Sequence, residues 1–509
     1  MPMVDIDWLK EHVEVPSDLT YEQLAKDLVR VGLEEEEIHA SQVTGPIVVG
    51  YVVDATPEPQ KNGKTINWCH VDVGSAYNAV DENGKKVPRG IICGAPNMAA
   101  GEKVVVTLPG AVLPGDFKIE PRKTYGHVSD GMCASERELG LGDSHEGIIL
   151  LRDYGFTPQE YKALKPGDDA MHLLHLDQPI LEINITPDRG YAFSYRGVAR
   201  EYHHSTGAKF VDPVTELNKR APAAPAAESG VSSDIEVIVD DNNPIHGVTG
   251  CDRYVARAIH GFDPTNHTPN WMRRRLIRAG MRSISLAVDV TNYVMLDLGQ
   301  PMHAYDLDKI EGPIVVRRAA EGEKLTTLDG KEHDLSVEDL LITDSPDGKR
   351  GSRILGIAGV MGGLYGEVTA DTKNILLEAA HFDSVSIARS ARRHKIPSEA
   401  SRRFERGVDT QLQPAAAQMA AELLTKFGNV NTTMYRRPIP FKATEVARVA
   451  GLDVDVNRIS DILTDVGCRV AGGGNGEFSV SAPTWRPDLN EPCDLVEEVA
   501  RLVGYDQIP

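Results

Sequence analysis

The chain has 509 residues, of which 41% are hydrophobic and 25% charged, with a formal net charge of −21; this is the balance of a multidomain globular protein. That acidity argues against a general nucleic-acid binder and leaves room only for local basic faces. No apolar run approaches the length of a membrane span, so no membrane partner is expected.

The opening MPMVDIDWLKEHVEVP lacks the basic-then-apolar order of a secretory signal. Residues 1–40 read as helical, with Leu9, Val13, Leu19, Leu24, Leu28 and Val31 spaced loosely for one apolar face. From about residue 45 the period changes. IVVGYVVDATPEP, INWCHVDVG, GIICGAPNM and the stretch after EKVVVTLPG are short β-rich runs broken by Gly, Pro and Asn, the pattern of a small all-β barrel. After residue 150 a mixed pattern returns and ends in a strand, a turn at Pro187-Asp188-Arg189-Gly190, and a helix. APAAPAAESGVSS, residues 221–233, reads as a linker with nothing to bury.

A second mixed region runs from about 235 to 430, and a third from about 438. In the third, Val446, Val449, Ile459, Ile462, Leu463 and Val466 predict two short amphipathic helices, followed by a hairpin candidate at FSVSAPTW. The cysteines Cys69, Cys93, Cys133, Cys251, Cys468 and Cys493 form no C-x-x-C pair. Neither a zinc ribbon nor a disulfide framework is suggested, and a reducing cytoplasm fits best.

Two basic windows stand out from the acidic background, MRRRLIRAGMR (272–282) and ARSARRHKIPSEASRRFERG (388–407). Each reads either as a nucleic-acid face or as a solvated helix face with internal charge pairing. Near the end, WRPDLNEPCDLVEEVARLVGYDQIP places Asp494, Glu497 and Glu498 at i, i+3 and i+4, with Asp488 just upstream. On one helical face these carboxylates could hold Mg²⁺, directly or through water. They could equally be acids favoured by the helix N-terminus, with Glu498 pairing Arg501.

Several ordered stretches resemble one family. IVVGYVV through SDGMCASERELGL resembles the oligonucleotide-binding barrel of tRNA-binding domains. INITPDRGYAFSYRGVARE, VDVTNYVMLDLGQPMHAYDLDKI, GIAGVMGG, ILLEAAHFDSVSIARSARRHKIPSEASRRFERGVD and APTWRPDLNEPCDLVEEVARLVGYDQIP resemble, in order, the bacterial phenylalanyl-tRNA synthetase beta subunit. The resemblance implies a multidomain α+β architecture: an N-terminal α/β domain at 1–44 and 151–220, and an inserted OB-fold at 45–150. An editing domain at 235–430 and a winged-helix-like B5-type domain at 436–509 would follow. The family continues beyond this point with a catalytic-like core and an anticodon-binding domain, so it implies an N-terminal portion.

What the family does is implied likewise. The alpha subunit, in a heterotetramer of two alpha and two beta, attaches Phe to tRNA(Phe) with ATP, and the beta subunit hydrolyses misacylated Tyr-tRNA(Phe). An apolar pocket rejects an added hydroxyl only weakly, which is why a second site is needed. Glu378 matches the acid that binds the phenol, and Arg282, Asn292, His303, Gly359, Ser398 and Ala400 match the other pocket positions. Ser398 departs from the usual Thr, keeping the hydroxyl and losing a methyl. Asp488, Asp494, Glu497 and Glu498 match a magnesium site shared with the alpha subunit.

Beside the resemblance, the residues themselves show an acid at the end of an apolar strand, either capped by an Arg or waiting for a ligand hydroxyl. They show no legible nucleophile–base–orienter triad. His303 and Arg282 read as positioning groups, and no Gly-rich phosphate loop is present. The barrel offers modest chemistry: Lys103, Lys118, Arg122, Lys123 and His127, with Phe117 and Tyr125 for stacking. A stand-alone trans-editing hydrolase and a non-enzymatic tRNA-binding scaffold are the competing readings.

Overall fold

The computed structural model describes residues 2–61, 63–142, 145–221, 231–233, 235–428, 439–472, 474–482, 489 and 491–509. It is mixed α and β, in two compact units, Met1–Val430 and Asn431–Pro509. Among the described residues no helix is long and apolar enough to cross a membrane.

At the start of the first unit, strands Met3–Val4, Ile180–Asn184 and Glu34–His39 form an antiparallel sheet with Ile180–Asn184 in the middle. Residues 1–40 are therefore not one helical segment. Helix is confined to Ile6–Leu9 and Tyr21–Val29, the latter capped by Thr20, whose hydroxyl accepts from the Gln23 N–H at 3.2 Å. The glutamates at 34–37 carry no apolar alternation, yet they form a strand. They lie at a sheet edge, where charge is tolerated and blocks edge-to-edge pairing.

Trp8 is fully buried, stacked on Tyr195 at 3.9 Å and on Tyr293 at 4.9 Å. Its indole N–H donates to Asp297 at 2.6 Å, and His12 bonds the same carboxylate at 2.7 Å. Trp8, Leu24 and Leu28 belong to one apolar core with Val290 and Val294 of helix Leu286–Leu298 and Ala416 and Ala420 of helix Gln413–Phe427.

The β-rich part is a five-stranded antiparallel sheet in the order Met132–Cys133, Lys103–Thr107, Ile47–Pro59, Thr65–Asp72, Arg89–Cys93. It is nearly closed. Met132–Cys133 pairs with one edge while, two residues earlier, the Asp130 N–H donates to the Gly90 C=O of the other at 2.8 Å.

Beyond the segment read as a linker, two sheets pack face to face. One has the order Val231–Ser233, Cys251–His260, Asn374–Phe382, Met302–Asp306. The other has the order Val237–Asp240, Ile314–Arg318, Leu340–Asp344, Arg353–Ile357, Met361–Gly362. The linker reading of 221–233 fails at its end, because Val231–Ser233 pairs in parallel with Tyr254–Ala256; 222–230 lie outside the described residues. Ile375 and Leu377 face the core that holds the two helices, while Leu376, Ala380 and Phe382 face the second sheet.

The second unit is a three-stranded antiparallel sheet, Ile439–Lys442, Glu477–Ser481, Arg469–Gly472, with helices Thr444–Ala450, Val456–Asp465 and Pro492–Val503. Val446, Ile459, Ile462 and Leu463 enter its core as the spacing predicts, whereas Val449 is exposed.

Candidate functional site

Glu378 occupies one place in an otherwise apolar row. The row Leu376, Glu378, Ala380, Phe382 faces the core between the sheets, so strand alternation points the Glu378 side chain inward. Its neighbours across the sheet are Ala256 on one side and His303 on the other. Two residues along these strands, on the same face, stand Tyr254 and Tyr305. Both hydroxyls donate to Glu378 Oε2 at 2.7 Å. Among the described residues no donor reaches Oε1. Burial pushes the Glu378 carboxyl up, and the two hydroxyls partly offset that by stabilising its anion. The tyrosines are pushed far above their ordinary range by burial and then by the Glu378 charge. The acid is thus capped on one oxygen by two phenols rather than by an Arg, and its other oxygen stays open to a ligand hydroxyl.

His303 stands against the Tyr305 ring, edge to face at 4.5 Å. Part of its surface remains open, but dense protein around it lowers the imidazole pKa to about 4. It is therefore neutral at physiological pH. Gly362 makes this contact possible: a Cβ there would lie 2.8 Å from His303 Cε1 and Nε2. Gly359, with φ +63°, turns beneath Phe404, Ile387 and Phe382, the first only 2.9 Å from where its Cβ would be.

Ser398 is the N-cap of helix Glu399–Phe404, where its hydroxyl accepts from the Ser401 N–H at 3.0 Å. The cap uses the hydroxyl, so the methyl of a Thr is not required for it. Ala400 packs against the same inter-sheet core as Glu378's neighbours. Asn292, half-buried, and Arg282, exposed, lie on and just before helix Leu286–Leu298. Gln300 of the same motif is structural. Its amide donates to the Ala380 C=O at 2.9 Å and accepts from Gln413, tying helix Gln413–Phe427 to the Glu378 strand.

Sequence reasoning passed over Tyr254 and Tyr305. Tyr305 was findable, two residues past His303 and hence on its face of a strand. Tyr254 was not, because only the register brings it to Glu378. Glu378 and His303 line neither the cavity beside Phe193 and Arg403, nor that beside Tyr154 and Arg273, nor the notch between Ala391 and Glu405.

Two acids of helix Pro492–Val503 have partners within the chain. Asp494 accepts from the Glu491 N–H at 2.8 Å in a reciprocal capping box. Glu498 is buried and accepts from Arg501 at 2.6 Å, and Glu497 is exposed. Asp488 lies outside the described residues. Among those described, no group of acids, histidines and cysteines is set to hold a metal.

The basic windows also separate. The arginines of helix Asn270–Arg278 turn inward: Arg273 bonds Glu136, Arg275 bonds Glu11 and Tyr293, and Arg278 bonds Asp5 and the Pro179 C=O. These arginines are internal mortar, whereas Arg282 at the end of the window is exposed. In the window at 388–407, Arg389, Arg392, Arg393, Lys395 and Arg402 stay at the surface, and Arg403 does not. Its guanidinium is buried, donating to the Phe193 C=O at 3.2 Å and to Glu399 at 2.9 Å.

On the barrel, Phe117, Lys118, Arg122, Lys123 and Tyr125 are all exposed. Lys103 instead donates to the carbonyls of Tyr161 and Leu164, and His127 stacks on Trp68 at 4.2 Å.

Comparison with known proteins adds three family matches: a "Putative tRNA binding domain" over residues 47–156, a "B3/4 domain" over 250–429 and a "tRNA synthetase B5 domain" over 439–505. The chain is 82% identical to the phenylalanine–tRNA ligase beta subunit of Bifidobacterium longum, over 100% of its own length and 60% of that protein's. It is 49% identical to the same-named protein of Leifsonia xyli and 47% to that of Thermobifida fusca, each over 99% of its length. A solved N-terminal fragment of the Pyrococcus horikoshii beta subunit shares 16% identity, over 65% of this chain and 88% of that one. The TM-score of that pair is 0.25. The chain spans about 60% of the length of the first of these curated relatives. With the ordered motifs, the three domain matches and this identity in agreement, the chain belongs to the phenylalanine–tRNA ligase beta-subunit family.

Proposed function

We propose that this chain hydrolyses tyrosine misattached to tRNA(Phe), at the sheet face that carries Glu378 and His303. It would do so as part of a heterotetramer of two alpha and two beta subunits in the cytoplasm, with the alpha subunit attaching phenylalanine. In that synthesis Mg²⁺ would neutralise the phosphates of ATP. The described acids do not fit a Mg²⁺ site as they stand, because Asp494 is held in its cap and Glu498 by Arg501. No step here runs through the metal.

The proposed division of labour follows the segments. Residues 1–44 with 151–220 form an N-terminal α/β domain, 45–150 an OB-fold for tRNA, 235–430 the editing domain and 436–509 a winged-helix-like B5-type domain. The nearly closed sheet and the matched domains support this reading.

The observation that carries the proposal is the Glu378 carboxylate. It is buried, its Oε2 is saturated by two tyrosine hydroxyls, and its Oε1 is without a described donor. A phenol arriving there would donate to Oε1. Phenylalanine would leave that oxygen desolvated and unpaired, at a cost of about 1–3 kcal/mol. Discrimination thus runs opposite to that of an apolar synthetic pocket.

In the reaction a water oxygen bonds the acyl carbon, the ester C–O bond breaks, and the ribose oxygen takes up a proton. Neutral His303 orients the aminoacyl end and does not act as an acid, and Arg282 and Asn292 position it. Gly359, Ser398 and Ala400 shape the wall. Activation of the water needs no protein triad, since the terminal ribose hydroxyl and a fixed geometry can supply it. The test is deacylation of preformed Tyr-tRNA(Phe) by the reconstituted alpha–beta complex. Glu378→Ala should lose roughly ten- to a hundredfold while Phe charging persists. A wild-type rate in that variant would sink the assignment.

A further inference from the structure

We propose that the outer side of the helix pair Ser384–His394 and Glu399–Phe404 is a phosphate-binding notch for the single-stranded 3′ end of an RNA. This deepens the editing reading, on which the identity of the RNA as substrate rests.

The segment 388–407 holds seven Arg or Lys against two Glu in a chain whose net charge is −21. Most of these cations are already engaged. Arg389 and Arg393 pair with Glu338, and Arg393 also with Asp339. Arg402 and Arg403 pair with Glu399, and Arg406 with Glu405. Arg392 and Lys395 are exposed and make no ion pair among the described residues.

Those two side chains flank a shallow notch with a mostly apolar floor that includes Ala391 and Pro397. Arg402 and Glu405 stand at its far rim, and Ser401 closes it. The Ser401 hydroxyl is bonded to the Ser398 N–H at 3.1 Å and the Ser398 C=O at 3.0 Å. The notch and the wall containing Ser398 and Ala400 therefore share one turn of backbone. Unpaired cations beside an apolar floor suit a strand that alternates phosphate with sugar and base. A partner protein with an acidic peptide would need no such floor, and a duplex keeps its bases paired and stacked away from it.

The experiment uses the full chain and a fluorescent acceptor-stem minihelix with a short single-stranded 3′ end, with binding followed by anisotropy from about 50 to 200 mM salt. Two contacts to a single strand contribute about 1.4 to the slope of log affinity against log salt. Arg392→Gln with Lys395→Gln should flatten the slope by that amount, so its affinity loss across the range is about sevenfold smaller than wild type. Equal slopes overturn the proposal. So does a lower melting temperature with an unchanged slope, which would mean that the two cations only complement the helix C-terminus. A blunt minihelix should show no difference between the proteins; a persisting difference would make this a duplex face and overturn the single-strand assignment. Tyr-tRNA(Phe) deacylation by the reconstituted alpha–beta complex is measured in parallel. Its absence in wild type, with the slope difference intact, rejects editing and leaves the notch standing.

Discussion

Replacing Glu378 by Gln separates the two jobs of this carboxylate. Both tyrosine hydroxyls converge on Oε2, each at 2.7 Å. A Gln can keep an oxygen there to accept both, and it then places an NH₂ where Oε1 stood. Alanine is the harsher probe: it strands two buried hydroxyls at about 1–3 kcal/mol each, and its activity loss mixes recognition with structure. In Glu378→Gln the substrate phenol loses a charge-assisted bond, about 1.5–3 kcal/mol, and finds at best a neutral one, about 0.5–1.5. The difference, about 1–1.5 kcal/mol, predicts a five- to twelvefold slower deacylation of Tyr-tRNA(Phe) at limiting substrate, roughly.

Stability should move the other way. Burial raises the folded-state pKa of Glu378. The folded protein therefore binds this proton more tightly than the unfolded one, and the ionised group costs stability. That cost is absent below the unfolded pKa of about 4.3 and sets in as pH rises through the folded value. Glu378→Gln should melt higher than wild type at pH 7 and lose that advantage near pH 4. Wild-type deacylation rates in a folded Glu378→Gln enzyme would refute the phenol-acceptor reasoning. A variant that melts lower at pH 7 would refute the account of the buried charge.

His303, held near pKa 4 by burial, should contribute no limb to the pH–rate profile of deacylation between about pH 5 and 8. Its lowered pKa also makes stability fall as pH drops from about 6.5 toward 4, and His303→Gln should remove that part of the acid sensitivity in melting curves. Gly362→Ala would drive a Cβ to 2.8 Å from the His303 ring, so chemical denaturation should show about 1–3 kcal/mol lost, with deacylation falling while Phe charging is kept. Arg403→Met should cost about 1–3 kcal/mol by the same measurement, since it leaves the Phe193 C=O unpaired while the partly exposed Glu399 keeps Arg402; unchanged stability would show that water replaces the guanidinium.

The sequence reading succeeded where local pattern and burial agree. The β-rich runs after residue 45 became the nearly closed sheet, and the apolar run around Glu378 became a strand, although the acid stands at the middle of Asn374–Phe382 and not at its end. It failed where tertiary pairing overrode local preference. Four glutamates form a strand because Ile180–Asn184 is there to pair with them, and Val231–Ser233 join a sheet from inside a stretch that reads as linker. Charge patterning could not say which basic window stays outside. The arginines of 273–278 found carboxylates and carbonyls on segments far away in sequence, as with Arg274 and the Leu173 C=O, 101 residues apart. The two phenols that saturate Glu378 come from different strands, and sequence spacing does not record strand register.

The stacking of Trp8 bears on how the chain acquires its structure during synthesis. The indole bonds Asp297 across a separation of 289 residues. At translation rates of about 5–20 residues per second, roughly 15–60 s pass between the emergence of the two partners. For that interval Trp8, Leu24 and Leu28 belong to a nascent chain whose core has not yet been made. Pairings this distant in sequence close late and slow folding. A ribosome-bound holdase that shields the first helices, or a slowed ribosome that extends the wait, should change the yield of folded chain more than it changes its final stability.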